Sequence, residues 1–373
     1  LTGDRARIEQ FIQDGVDNLL WLYNQVPEAV RQRSKQWYEG ANVMANALAE
    51  KYNLTTAQVA GIIGVNSPQT EWFTNMSRAE RILDAWFNRQ SVAWSAEMND
   101  TTDRIFAKEQ YAQDVAAIRG KTLSQIADPI QQAMWIRAFD ESHNHKYYRE
   151  VMPEGAFGDF AKNKNGSPKQ FMWANLEHIA KSLRIIQSEK LDTISEQLGT
   201  SHKVPSFYNN IFDPNDPVGD VTIDTHAIAA ALLRPLSGSS IEVLHNFGAG
   251  IKASAGGIAG TYGIYAEAYR RAAAEAGVLP REMQSVTWEA IRGLYSAEFK
   301  RGAGASEVEA VWAQYHDGKL TVEQVRDTIQ GIAGGINDPT WYQSDSAAPT
   351  SSWSSSYGGT ISEFRPYGAP ARS

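Results

Sequence analysis

Apolar positions along the chain recur at helical spacing. Ile8, Phe11, Ile12, Leu19, Leu22 and Tyr23 fall on one face of a first helix, and Trp37, Ala41, Met44, Leu48 and Tyr52 on one face of a second. Pro27 separates the two, because proline lacks the N–H that a helix interior needs. Thr55-x-x-Gln58 has the form of a capping box, in which each side chain satisfies a free N–H of the first turn, so a third helix starts there and stops by Pro68. Met172, Leu176, Ile179, Leu183 and Ile186 mark a further amphipathic segment, and Val308, Val311, Trp312 and Tyr315 another. No stretch alternates with period two. The pattern predicts an all-α chain.

Three segments interrupt this rhythm. Gly155–Pro168 reads as a polar, glycine-rich loop. Gly248–Gly263 is glycine-dense but lacks the Gly-Lys-Ser/Thr ending of a phosphate loop, which leaves a flexible connection as its reading. From Ser344 to Ser373 the composition is that of a low-complexity Ser/Gly/Pro tail, in which Trp353, Tyr357, Phe364 and Tyr367 are spaced as anchors.

Composition narrows the chemistry. None of the 373 residues is cysteine, so disulfides, a thiolate nucleophile, cysteine-ligated zinc and iron–sulfur clusters are excluded. Covalent chemistry falls to Lys, Ser, Thr, Asp, Glu, His or Tyr. No apolar run is long enough for a bilayer span, and the opening LTGDRARIEQ carries the charge of a helix start; the expectation is an intracellular, cytoplasmic protein without a membrane partner. A net charge of −8 argues against a surface that grips nucleic acid everywhere. One stretch runs the other way: Lys162, Lys164, Lys169, Lys181, Arg184 and Lys190 face only Glu177 and Glu189 between Ala161 and Lys190. It reads either as a solvated helix face or as a local basic face. His143 and His145 have the spacing of metal ligands but no third ligand in sequence, so no metal or other cofactor is expected.

The stretch HKVPSFYNNIFDPNDPVGDVTIDTH, His202–His226, holds the strongest chemical signal. A short helix ends near Leu198, Gly199 turns the chain, Lys203 starts a second helix, and Asp224 with Thr225 opens a third helix of small apolar residues. Two helices joined by a tight glycine turn can aim backbone N–H groups at a phosphate without much net positive charge.

These residues resemble the helix-hairpin-helix DNA glycosylases, the superfamily of endonuclease III and the 8-oxoguanine glycosylases. Gly199 matches the first glycine of their Leu-Pro-Gly-x-Gly-x-Lys hairpin, Lys203 the lysine of the bifunctional members, and Ile223-Asp224-Thr225-His226 their Val-Asp-Thr-His signature, with Asp224 in the place of the catalytic aspartate. Lys203-Val-Pro-Ser206-Phe207-Tyr208 is similar to the Lys-x-x-Ser-His-Phe run of archaeal 8-oxoguanine glycosylases. Earlier in the chain, Asn66-Ser67-Pro68-Gln69-Thr70 with Asn75 and Ala79 is similar to the Ser-Ala-Gln-Thr…Asn-x-x-Ala motif that opens the helical barrel. The sequence departs from the pattern where Ser201 replaces the second hairpin glycine, where the interval from Lys203 to Asp224 is slightly longer than usual, and where the Asp213–Asp220 loop is acidic.

The resemblance implies a two-lobed fold, with residues 1–59 and 236–343 forming a discontinuous helical lobe and 60–235 a helical barrel that carries the hairpin. It implies excision of a damaged or modified base from DNA, either an oxidised purine or a bulky base of the phage type, with Schiff-base lyase activity and a nucleoid-associated location. Lys203 would be the nucleophile and Asp224 the carboxylate that stabilises a cationic sugar. Gln69 would fill the gap left by a flipped base, while Asn66, Gly199, Ser201 and His226 would contact DNA or support flipping. Two other readings stay open: a phage enzyme that attaches an amine to an activated base on the same fold, and a non-catalytic DNA-binding or virion protein. In the plainest reading Asp224 is an N-cap, Lys203 a solvated lysine and His226 a packed histidine.

Overall fold

The computed structural model describes residues 4–163, 165–246 and 260–336. The helices follow in the order α1 (Arg5–Gln25), α2 (Glu28–Ser34), α3 (Trp37–Tyr52), α4 (Thr56–Val65), α5 (Trp72–Asn88), α6 (Ala96–Ile105), α7 (Ala112–Ile118) and α8 (Pro129–His143). Two short strands, β1 (Arg149–Val151) and β2 (Phe157–Phe160), come next. The helices then resume as α9 (Leu176–Ile186), α10 (Leu191–Leu198), α11 (Lys203–Phe212), α12 (Thr225–Leu232), α13 (Ile241–Asn246), α14 (Tyr262–Ala276), α15 (Pro280–Leu294), α16 (Ala297–Arg301), α17 (Gly304–His316) and α18 (Val322–Ala333). The protein is mostly α-helical, and among the described residues no helix is long and apolar enough to cross a membrane. The low-complexity tail, with its four aromatic anchors, and most of the glycine-dense segment lie outside the described residues.

Local sequence accounts for many helix ends. Asp4 caps α1 by accepting from the backbone of Ala6 and Arg7, and α1 ends before Pro27. The Thr55–Gln58 capping box is formed, and a second one, Thr321–Gln324, starts α18. Gly277 ends α14 at φ +69°, a left-handed conformation that costs glycine little.

The described chain divides into two compact units, one formed by residues up to Glu39 together with those from Ser201 onward, the other by Gly40–Thr200. The boundaries therefore fall at 39/40 and 200/201, not at 59/60 and 235/236. Tertiary partners explain both shifts. In the second unit α4 packs on α9 and α10, and the buried Gln58 amide donates to the carbonyls of Ile185, Ile186 and Ser188. The preceding residues of α3 belong with it: Tyr52 stacks on Phe87, and Gly40 lies so close to Pro153 and Gly155 that neither glycine has room for a Cβ. In the first unit α12 packs on α1, α14 and α15. Its buried Ala227, Ala229, Ala230 and Ala231 let the helices approach closely, and a Cβ at Gly15 of α1 would stand only 3.3 Å from Ala268 of α14. Leu19, Leu22, Ile228, Tyr269, Met283 and Val308 fill the centre of this unit.

The expectation that Gly155–Pro168 is only a loop is also corrected. β1 and β2 pair antiparallel, with Arg149 opposite Phe160, and isolated bridges join Tyr147 to Gln170 and Lys162 to Pro168. Gly155, at φ +87°, makes the reversal while its N–H donates to Met152 O at 2.9 Å. Strands this short contain too few residues for a period-two pattern to emerge from the sequence.

Candidate active site

Asp224 is the N-cap of α12, and its Oδ1 accepts from the Ala227 N–H at 2.8 Å. The segment before it is pinned from two sides. The Tyr262 hydroxyl donates to Val221 O at 2.7 Å and accepts from the Ile223 N–H at 3.0 Å. Burial pushes the Tyr262 phenol up to about 12, so it remains a donor at neutral pH. From α11, the Asn210 amide donates to Thr222 Oγ1 at 3.0 Å, and Asn209 bonds the Asp220 carboxylate. Lys203 is the first residue of that same helix. One element thus carries the lysine and also holds the approach to the aspartate.

The carboxylate is 22% exposed and is strongly biased toward its charged form. Burial alone would raise its pKa, but three groups outweigh burial and hold the carboxyl well below the usual carboxylate range. They are the His226 imidazole, with Nδ1 at 3.5 Å from Oδ2, the Lys203 ammonium, and the Ala227 N–H. Lys203 and His226 are both partly buried, so the fully solvated lysine of the plainest reading is not what the fold provides.

A second lysine lies within electrostatic range of this carboxylate, and nothing in the sequence pattern pointed to it. Lys300 on α16 is held below the usual lysine range, first by burial and then by the Arg292 guanidinium, while Asp224 pulls in the opposite direction. Arg292 lies 4.4 Å from the centre of the Trp288 ring, one helical turn away on α15, and the Trp288 ring meets His226 edge-on at 6.3 Å. Neighbouring Glu289 is buried between Trp37 and Arg33, and burial raises its pKa. A fixed anion in the field of two amines and beside an imidazole can stabilise a cationic centre.

The other sequence candidates are distributed unevenly. Gly199 caps α10 at φ +78°, and Ser201 is exposed just beyond it. The boundary between the units runs through this turn, so α10 and Gly199 belong to the second unit while Ser201 and Lys203 belong to the first. Asn66, in the second unit, is 1% exposed; its amide donates to Ile62 O at 2.9 Å and to Ser182 Oγ at 2.8 Å. That places it in the packing of α4 against α9, with no surface to offer DNA.

Gln69 is different. Pro68 and Gln69 occupy the centre of a turn closed by the Thr70 N–H to Ser67 O at 3.3 Å, and Gln69 is exposed at φ +54°. Turns usually place Gly or Asn in that conformation, so a glutamine there is held against a backbone cost. Arg78 ties the turn down by bonding Thr70 and the Met172 carbonyl.

His143 bonds Ser95 Oγ at 3.1 Å and packs on Phe139, whereas His145 lies against Phe160. Among the described residues no group of three His, Asp or Glu side chains is arranged to hold a metal ion. In the basic stretch, Arg184 pairs with Glu177 at 2.7 Å and Lys169 with Glu71 at 3.3 Å, while Lys162 and Lys190 stay exposed.

The model of a family described as "Family of unknown function (DUF7178)" matches residues 6–102 and 161–294, which is more than half of the chain. The chain belongs to that family. No curated protein and no solved structure matches it. Both matched segments contain candidate residues: Asn66 and Gln69 in the first, and Gly199, Ser201, Lys203, Asp224 and His226 in the second.

Proposed function

We propose that this member of the family is a DNA glycosylase with Schiff-base lyase activity, acting on a damaged or modified base in DNA through a helix-hairpin-helix glycosylase-like fold. The observation that carries this reading is the environment of Asp224: a carboxylate kept ionised and partly open to solvent, its oxygen capping a helix, with the Lys203 ammonium of a second helix within electrostatic range. Cleaving the bond between base and sugar develops positive charge at C1′. A preorganised anion lowers that barrier because it needs no reorientation as the charge forms. The Lys203 amine, once neutral, donates its lone pair to C1′ as the base departs with the bonding pair. Loss of a proton from nitrogen and opening of the sugar give the Schiff base, from which β-elimination of the 3′ phosphate breaks the strand.

The test is a panel of duplexes carrying abasic, oxidised, deaminated and phage-type modified nucleotides, scored for base release and for a covalent adduct trapped by borohydride. Release from one substrate class, with an adduct that Lys203→Gln abolishes, is the expected result. Release that survives Lys203→Gln but not Asp224→Asn would make Asp224 the activator of water in a monofunctional enzyme. Absence of both release and adduct across the panel would refute the reading.

A further inference from the structure

The β1–β2 hairpin presents an arrangement that the candidate active site does not use. In an antiparallel pair, residues directly opposite each other share a face, and so do residues two apart on one strand. The register of Arg149 opposite Phe160 therefore puts Tyr147, Arg149, Phe160 and Lys162 on one face. Tyr148 and Ala161, of opposite parity, are buried on the reverse face at 4% and 1% exposure. The face is organised around the Phe160 ring. Tyr147 meets it at 6.1 Å and His145 at 6.3 Å, both edge-on, and the Arg149 guanidinium lies 5.7 Å from its centre. His145, Tyr147, Arg149 and Lys162 are all exposed, and the alternation ends at a bulge between Arg149 and Val151, where Val151 turns into the interior.

Aromatic rings interleaved with cations form an unusual patch on a chain of net charge −8. A hydrophobic protein partner would account for the rings but would itself supply no anion to two exposed cations. A simple anion site would account for the cations but would not need rings at the surface. A single strand of nucleic acid uses both, because each base has a face to stack on an aromatic ring and each phosphate a charge for Arg or Lys.

We propose that this face is a stacking platform for single-stranded nucleic acid, with Tyr147 and Phe160 taking bases and Arg149 and Lys162 taking the flanking phosphates. The platform tolerates any sequence, because stacking and phosphate contacts carry no base-edge readout. It binds pyrimidine and purine strands alike and weakens with salt.

The test is fluorescence anisotropy of a labelled oligothymidylate of about 20 nucleotides, titrated with the full chain at about 50 mM and about 200 mM salt. Tyr147→Ala is expected to weaken binding about tenfold, the loss of roughly one stacked base, while Tyr147→Phe keeps wild-type affinity. Arg149→Gln and Lys162→Gln should each flatten the dependence of log affinity on log salt by about 0.7, one phosphate contact on a single strand. Phe160→Leu, which keeps the hairpin packed, should also lose affinity. Circular dichroism and melting temperature establish that each variant is folded. If the oligonucleotide does not bind at the lower salt, or binds equally well to Tyr147→Ala and to the two cation variants, the platform does not exist. This result is independent of base excision: the hairpin variants leave Asp224 and Lys203 intact, and a strand-binding chain without glycosylase activity would refute only the catalytic reading.

Discussion

The Oδ2 atom of Asp224 and the Nδ1 atom of His226 stand 3.5 Å apart in the first turn of α12, while the other carboxylate oxygen caps the Ala227 N–H. One side chain thus ends a helix and holds a charge, and substitution separates the two roles. Asp224→Asn keeps an acceptor for the cap, so Asp224→Ala should be the less stable variant by about 1 kcal/mol. Both should lose base release. The depressed carboxyl also sets the sign of a pH effect. Its ionisation stabilises the fold above the unfolded aspartate value of about 3.9, and that contribution is lost as pH falls through the lower folded value. Urea midpoints should therefore show wild type ahead of Asp224→Asn near neutral pH, with the gap closing below about pH 4.

Tyr262 holds the approach to Asp224 through backbone hydrogen bonds. Tyr262→Phe removes the bonds to Val221 O and to the Ile223 N–H, leaving two buried groups without that partner, and should destabilise the protein by about 1–3 kcal/mol. Because the same bonds hold the approach to Asp224, base release should fall by more than duplex affinity does. Equal losses in single-turnover rate and in Kd would show that Tyr262 has no positioning role.

Lys300 should be the unusual lysine of the first unit. Burial and Arg292 lower its pKa, so amine-directed acetylation followed peptide by peptide should label it at lower pH than the exposed Lys190 or Lys319. Asp224 favours the charged form of Lys300, so Asp224→Asn should move the Lys300 midpoint lower still. A midpoint that coincides with those of the exposed lysines would place the side chain in bulk solvent.

Gln69 carries a backbone conformation that suits glycine. Gln69→Gly should raise the melting temperature, since relief of a left-handed residue is worth about 1 kcal/mol. Gln69→Ala keeps a Cβ in that conformation and should gain nothing comparable. Equal melting temperatures for the two variants would show that the turn stores no such strain.

Glu80, in the second unit, predicts a pH dependence of the opposite sign from that of Asp224. Burial raises its carboxyl to about 7 despite Lys51 and Arg81 nearby. Stability from the buried neutral acid is fully present below the unfolded glutamate value of about 4.3 and declines as pH rises through about 7. Glu80→Gln, which stays neutral, should be more stable than wild type near pH 8, by an amount that shrinks to nothing toward about pH 4. A constant difference between the two proteins across this range would exclude Glu80 as the titrating group.

Much of the local structure was determined by the sequence itself. The helical period of Ile12, Leu19 and Leu22 gave the buried face of α1, Thr55 and Gln58 gave a helix start, and Asp224-Thr225 gave a cap, because these are interactions between residues within about one turn. Only tertiary structure decided what each face meets. The alanines of α12 announce a buried helix, but their packing on α1, α14 and α15 depends on close approaches between segments far apart in sequence. The same distinction governs the candidate site. Lys203 and Asp224 were legible because a short interval of chain links them, and the burial of Asn66 was not, because a motif does not state exposure. Lys300, Trp288 and Tyr262 were invisible, since what ties them to Asp224 is Coulomb attraction, ring packing and hydrogen bonding through space. The hairpin face at Phe160 belongs with them: alternation over three or four residues carries too little signal, and pairing across the turn was needed to put its rings and cations on one side.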